Sequence, residues 1–137
     1  MTSKDSSTSS GIGRVLIAVY AIMALGATAR SLFQIATKFD DAPFAYLLSA
    51  LAGLVYVVAT VALVRSSRLW YRIAVVAIAF ELVGVLSVGI LSLVDAALFP
   101  ADTVWSSFGA GYLYVPLVLP VLGLFWLYRV RTSEERR

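Results

Sequence analysis

Four long apolar stretches, separated by short polar breaks, organise the chain. They cover residues 15–37, 44–64, 73–94 and 104–128. The first is interrupted by Arg30 and Gln34, the second carries no charge, and the third is interrupted once, by Glu81. Each has about 20 residues or more, enough to cross ~30 Å of hydrocarbon as a helix. A water-soluble helix would alternate polar and apolar faces with a 3.6-residue period, and these stretches mostly do not. The ten-residue alternation of membrane strands is also missing. The connections at 38–43, 65–72 and 95–103 are short, which forces successive helices to run antiparallel. The pattern predicts an all-α fold, a transmembrane four-helix up-down bundle. Its helices fall near 14–38, 43–65, 70–95 and 103–129, within a domain spanning 13–130.

Charge sets the expected orientation. One side of the pattern holds Lys4, Arg14, Arg65, Arg68, Arg72, Arg129, Arg131, Arg136 and Arg137, nine of the eleven basic residues. The other side has only Arg30 and Lys38, with Asp40, Asp41, Asp95 and Asp102. The positive-inside rule then places both termini in the cytoplasm of a multi-pass protein of the cell membrane. An even number of spans requires the same. Trp70 and Trp126 mark the inner interface and Trp105 the outer one, where an amphipathic ring is favoured. Residues 1–12, rich in Ser and Thr, read as a disordered cytoplasmic tail, and 131–137 as a second solvated tail. Lys4, Arg14 and the apolar run ending in Ala27-Thr28-Ala29 resemble a signal peptide. The helical pattern continues through Arg30 to Phe39 without Gly or Pro, which argues for a retained span.

Composition narrows the chemistry. Hydrophobic residues make up 61% of the 137, charged residues 14%, and the mean hydropathy is +0.90. A soluble domain carries roughly 25% charge, so the expected solvent is lipid. Cys, His and Asn are absent. That removes disulfides, thiol nucleophiles, the usual zinc sites and His-based proton transfer. No nucleophile–base spacing is evident among the remaining residues, so no catalytic, metal or cofactor residues are assigned and the expectation is a non-enzyme. The +3 net charge needs no nucleic acid, because basic residues flanking spans are the ordinary result of topology selection.

The polar residues within the spans are the candidate site. Glu81 lies nine positions past Arg72, so ~13 Å deep by helix rise. An unpaired carboxylate there costs about 2.5–3.5 kcal/mol on insertion scales. It is expected to face the bundle interior and to be protonated or paired. Arg30, Gln34 and Lys38 are four apart and share a face of the first helix. An Arg30–Glu81 contact is therefore expected, direct or through Gln34 or water. That pair would lock two helices together; alternatively, Glu81 would carry protons, or Arg30 and Lys38 would hold lipid headgroups.

Small residues mark expected helix contacts. Ala45, Ser49 and Gly53 recur every four residues on the second helix, continued by Tyr56 and Thr60, and Ala74, Ala77, Glu81 and Gly84 line the third. Asp41 before Pro43 reads as a cap and first turn, and Asp102 or Thr103 as a cap before Trp105. Pro116 and Pro120 each remove a donor, so the fourth helix is expected to kink there, near Gly109 and Gly111.

Several motifs look familiar: Lys38-Phe39-Asp40-Asp41-Ala42-Pro43 with Ala45-Tyr46, Phe80-Glu81-Leu82-Val83-Gly84, Phe99-Pro100 with Thr103-Val104-Trp105, and Gly109-x-Gly111-Tyr112. Together they resemble a group of small four-span integral membrane proteins of actinobacteria. The resemblance extends from Arg14 to Tyr128 and implies a fold and a membrane, not a mechanism. Small multidrug transporters also have four short helices and one essential membrane carboxylate. Theirs lies in the first helix, where this chain has Arg30, so no residue role transfers. The expected function is a non-enzymatic accessory or scaffold subunit, held in the bilayer and binding other membrane subunits or itself. The alternative is a small proton-coupled transporter that uses Glu81.

Overall fold

A computed structural model describes the backbone of residues 3–65 and 67–135, and the side chains of 11–65 and 67–131. Among the described residues there are helices and no strands. Four long helices follow in order: α1 (Ser3–Lys38), α2 (Pro43–Val64), α3 (Arg68–Val94) and α4 (Val115–Glu135). Short 3₁₀ turns at Phe39–Asp41, Ala96–Leu98 and Ser106–Tyr112 fill the connections. Three helical stretches are long and apolar enough to cross a membrane. A fourth crossing results if Ser106–Tyr112 and Val115–Arg131, bent by 98°, are taken as one span. These apolar helices are consistent with a multi-pass membrane protein.

The helices pack in chain order. α1 lies chiefly on α2, α2 on α3, and α3 on both α4 and the Ser106–Tyr112 turn, while α1 also touches α4. On α1 the buried positions include Gly13, Leu16, Tyr20, Met23, Ala24, Ala27, Ser31 and Gln34, a repeat close to 3.5 residues. That repeat keeps one seam facing a partner helix. On α2 the buried seam contains Ala45, Ser49, Ala52, Gly53, Tyr56 and Ala59. At Gly53 a methyl group would come within 2.9 Å of Thr28 Oγ1 and 3.2 Å of its backbone nitrogen. A residue without Cβ thus sets how closely α1 and α2 approach. Large apolar side chains such as Leu25, Phe33, Leu54, Val83 and Leu93 point outward.

The helix ends differ from expectation in places. α1 continues back to Ser3, through the segment that composition suggests is a disordered tail. Extending an existing helix costs little, since each added residue brings one hydrogen bond. Residues 1, 2, 136 and 137 of the two tails lie outside the described residues. Ala42, not Asp41, occupies the N-cap of α2 and makes no side-chain cap bond, because Asp40 and Asp41 are taken into the Phe39–Asp41 turn. Pro43 opens α2 as expected. α3 starts from Ser67, whose hydroxyl accepts from Trp70 N–H at 3.2 Å.

The largest difference concerns the fourth stretch. The sequence suggests helix from 103, yet α4 begins only at Val115. Ser107, Phe108 and Gly109 all have left-handed backbone, with φ of 51°, 61° and 84°, and so do Leu113 and Tyr114 at 58° and 62°. The sharp bend precedes both prolines. Pro116 sits in the first turn of α4, where its missing N–H has no intrahelical acceptor to lose. Pro120 lies inside the continuous α4. The chain turns at the residues that adopt positive φ, and Gly109 is the one suited to it. A side chain there would meet the Pro116 ring at 2.7 Å.

Candidate functional site

The polar core forms where all four helices meet. Glu81 of α3 and Tyr20 of α1 are both fully buried. The Tyr20 hydroxyl donates to Glu81 Oε1 at 2.7 Å. Glu81 Oε2 has no hydrogen-bond partner. The Tyr20 ring packs against that of Tyr56 on α2, with centroids 6.2 Å apart and planes tilted by 52°. The Tyr56 hydroxyl in turn accepts from Trp105 Nε1 at 2.9 Å. α4 closes the cluster at Gly123, where a methyl group would touch Ile78 and the Tyr20 hydroxyl at 3.3 and 3.4 Å.

The expected Arg30–Glu81 pair is not formed. Arg30 is exposed and donates from Nη1 to the Tyr112 hydroxyl at 3.0 Å, with its guanidinium 5.9 Å from the centre of the same ring. Gln34 is buried, and its Oε1 has no partner. The two residues separate because the buried seam of α1 repeats near 3.5. It passes through Ala27, Ser31 and Gln34 and leaves Arg30 to one side. Lys38 is also exposed, at the last turn of α1. Ser31 satisfies its hydroxyl by donating to the Ala27 carbonyl at 2.6 Å.

The segment before α4 is tied to the bundle by hydroxyl groups. Val104 N–H donates to Ser49 Oγ on α2 at 3.3 Å, and Ser107 N–H to Ser92 Oγ on α3 at 2.8 Å. Within the segment, Thr103 N–H reaches Ser106 Oγ at 2.8 Å and Trp105 N–H reaches Thr103 Oγ1 at 3.2 Å. Neither expected cap residue caps the turn: Trp105 occupies the N-cap of Ser106–Tyr112 without a side-chain cap bond, and Thr103 Oγ1 accepts only locally, from Trp105 N–H. Irregular backbone packed into an apolar bundle needs partners from the protein, and these side chains supply them for the N–H groups of Thr103, Val104, Trp105 and Ser107.

Two aromatic rings of this segment dock on α3. Trp105, expected at the outer interface, is instead buried, because Gly84 leaves room for its indole: a methyl group there would lie 2.6 Å from Cζ3. Phe108 fills the matching space at Gly89. Of the expected packing residues, Ala45, Ser49, Gly53 and Ala77 are buried in the helix seams. Gly84 takes the indole rather than another helix.

No protein-family model, curated protein or solved structure matches this chain. The site must therefore be read from its own chemistry. Among the described residues no cluster of His, Cys, Asp and Glu could hold a metal ion. Sequence reasoning found Glu81 but missed Tyr20, Tyr56 and Trp105 as its surroundings. A tyrosine in an apolar run gives no signal of its partner; the glycines at 84 and 89 were the available hint of docked rings.

Proposed function

We propose that this chain is a four-span protein of the cell membrane, with both termini cytoplasmic, serving as a non-enzymatic accessory or scaffold subunit that binds other membrane helices. The observation that carries this reading is the closed packing of Glu81: fully buried and tied by one hydrogen bond to Tyr20 of α1, whose ring and hydroxyl pack in turn against Tyr56 of α2 and Gly123 of α4. A carboxyl so placed joins helices. Cavities at the arginine-rich end are lined by residues of α2, α3 and α4, and Glu81 lines neither. Thr28 and Gly53 meet at equal distances from the 39–42 connection, as an antiparallel hairpin requires. The motif resemblance to small actinobacterial four-span proteins agrees with the same architecture.

Purification from native membranes in mild detergent tests the role, with partners expected at fixed stoichiometry. Proteoliposomes carrying a pH gradient test the alternative. Protein-dependent collapse of the gradient that disappears in Glu81→Gln would establish a proton-coupled carrier and overturn the scaffold reading. Orientation is checked by labelling, which the cysteine-free chain makes simple. An impermeant maleimide applied outside is expected to modify Asp102→Cys and spare Gly11→Cys.

A further inference from the structure

The arginine-rich end of the bundle holds a cavity of about 770 Å³ between the end of α2, the start of α3 and the end of α4. Arg65, Arg68, Arg72 and Arg131 all line it, and its described lining contains no acidic side chain. Ser67, the N-cap of α3, lines it too, so the positive end of that helix dipole lies at the same place. A second cavity, of about 450 Å³, shares Arg72 and Arg131 with the first. It continues along α3 and α4 past Val75, Val76 and Leu124, an aliphatic groove.

Topology selection accounts for the number of cations at this end. It does not account for Arg65, Arg68 and Arg72 around one cavity that opens onto an apolar groove, beside an Arg131 that has a contact of its own. Like charges so gathered repel, and a phosphate oxyanion relieves that repulsion through charge-assisted hydrogen bonds from guanidinium groups. The groove calls for a hydrocarbon chain attached to the anion. We propose that this composite cavity is a binding site for an anionic phospholipid, with the phosphate held by the arginines and one acyl chain lying along Val75, Val76 and Leu124. Free phosphate shares the first half of this chemistry and lacks the second. The inference rests on the membrane reading above.

Native mass spectrometry of the full chain in detergent tests it, with phosphatidylglycerol, phosphatidylcholine of the same acyl chains, and inorganic phosphate as probes. One phosphatidylglycerol is expected to bind at least about tenfold more tightly than phosphatidylcholine. Arg68→Gln with Arg72→Gln is expected to remove that preference, while the corresponding pair of lysine substitutions retains part of it, since each cation near an anionic headgroup contributes comparably. Val76 is 67% exposed, so Val76→Trp can narrow the groove without disturbing the core. This variant should weaken lipid binding several-fold and leave phosphate binding unchanged. Equal retention of the two lipids, or full retention of phosphatidylglycerol by the glutamine pair, overturns the site. Displacement of the lipid by phosphate, with Val76→Trp having no effect, overturns the lipid assignment. A chain that partitions into membranes yet shows no headgroup preference fails here alone. A chain that stays in solution without detergent fails the membrane reading itself.

Discussion

Replacing Gly84 by alanine examines the docking of Trp105 directly. The added methyl carbon would lie 2.6, 2.8 and 3.0 Å from Cζ3, Cη2 and Cε3 of the indole. Ordinary contact begins near 3.4 Å, so the ring must retreat by about 0.8 Å. It is 1% exposed and held by the 2.9 Å bond from Nε1 to Tyr56. A retreat of that size along the bond carries it past the ~3.2 Å limit of a good N–H···O interaction. Overpacking costs about 1–3 kcal/mol and a buried donor left unpaired another 1–3. Removing a helical glycine returns roughly 1 kcal/mol. The net expectation is a loss of about 1–4 kcal/mol, taking the two penalties as partly overlapping. Reversible unfolding in bicelles measures it. Gly26→Ala is the control, because Gly26 of α1 has open space where the methyl group would go; that variant should gain up to about 1 kcal/mol. In a Trp105→Phe background, which removes much of the offending ring, Gly84→Ala should cost at least about 1 kcal/mol less. If Gly84→Ala behaves like Gly26→Ala, or if the two changes are additive, the indole is not seated against Gly84.

Tyr20→Phe leaves both oxygens of Glu81 without a donor and should destabilise the bundle by about 2–3 kcal/mol in the same assay; making the change together with Glu81→Leu should recover much of the loss, since both polar partners are then gone. A cost for the double variant equal to the sum of the single ones would exclude the pair as a coupled unit. Backbone strain gives a prediction of two opposite signs. Gly109→Ala, at φ 84° and against Pro116, should cost about 2 kcal/mol, whereas Leu113→Gly, at φ 58° with the side chain 88% exposed, should be neutral or gain up to about 1 kcal/mol.

The helical class and the first three long segments were legible because uninterrupted apolar length is a strong, local signal. Glu81 was legible as facing the interior because a carboxylate has few places in an apolar rod, and Gln34 as part of the polar site within the spans. Their partners were not. Which residue of α1 faces Glu81 depends on helix rotation, and a shift of one residue turns the face by about 100°. A four-residue spacing put Arg30 on the Gln34 face, while the seam that forms runs closer to 3.5 and excludes it. The fourth segment was misread for a different reason. Its apolar content continues from 104 onward, but Ser106, Ser107, Gly109 and Gly111 weaken helix propensity at its start, and prolines drew the expected break too far along. Left-handed backbone at Ser107 and Phe108 carries no composition signal and follows from tertiary support.

That support comes from elsewhere in the chain. The hydroxyls of Ser49 and Ser92 belong to the second and third rods, and each receives a main-chain donor from the bent segment. The shape of the final quarter thus depends on those two rods lying side by side. Each serine is a prop for a beam that cannot hold its own shape, and removing either hydroxyl would loosen the last quarter while leaving the rods beneath it intact.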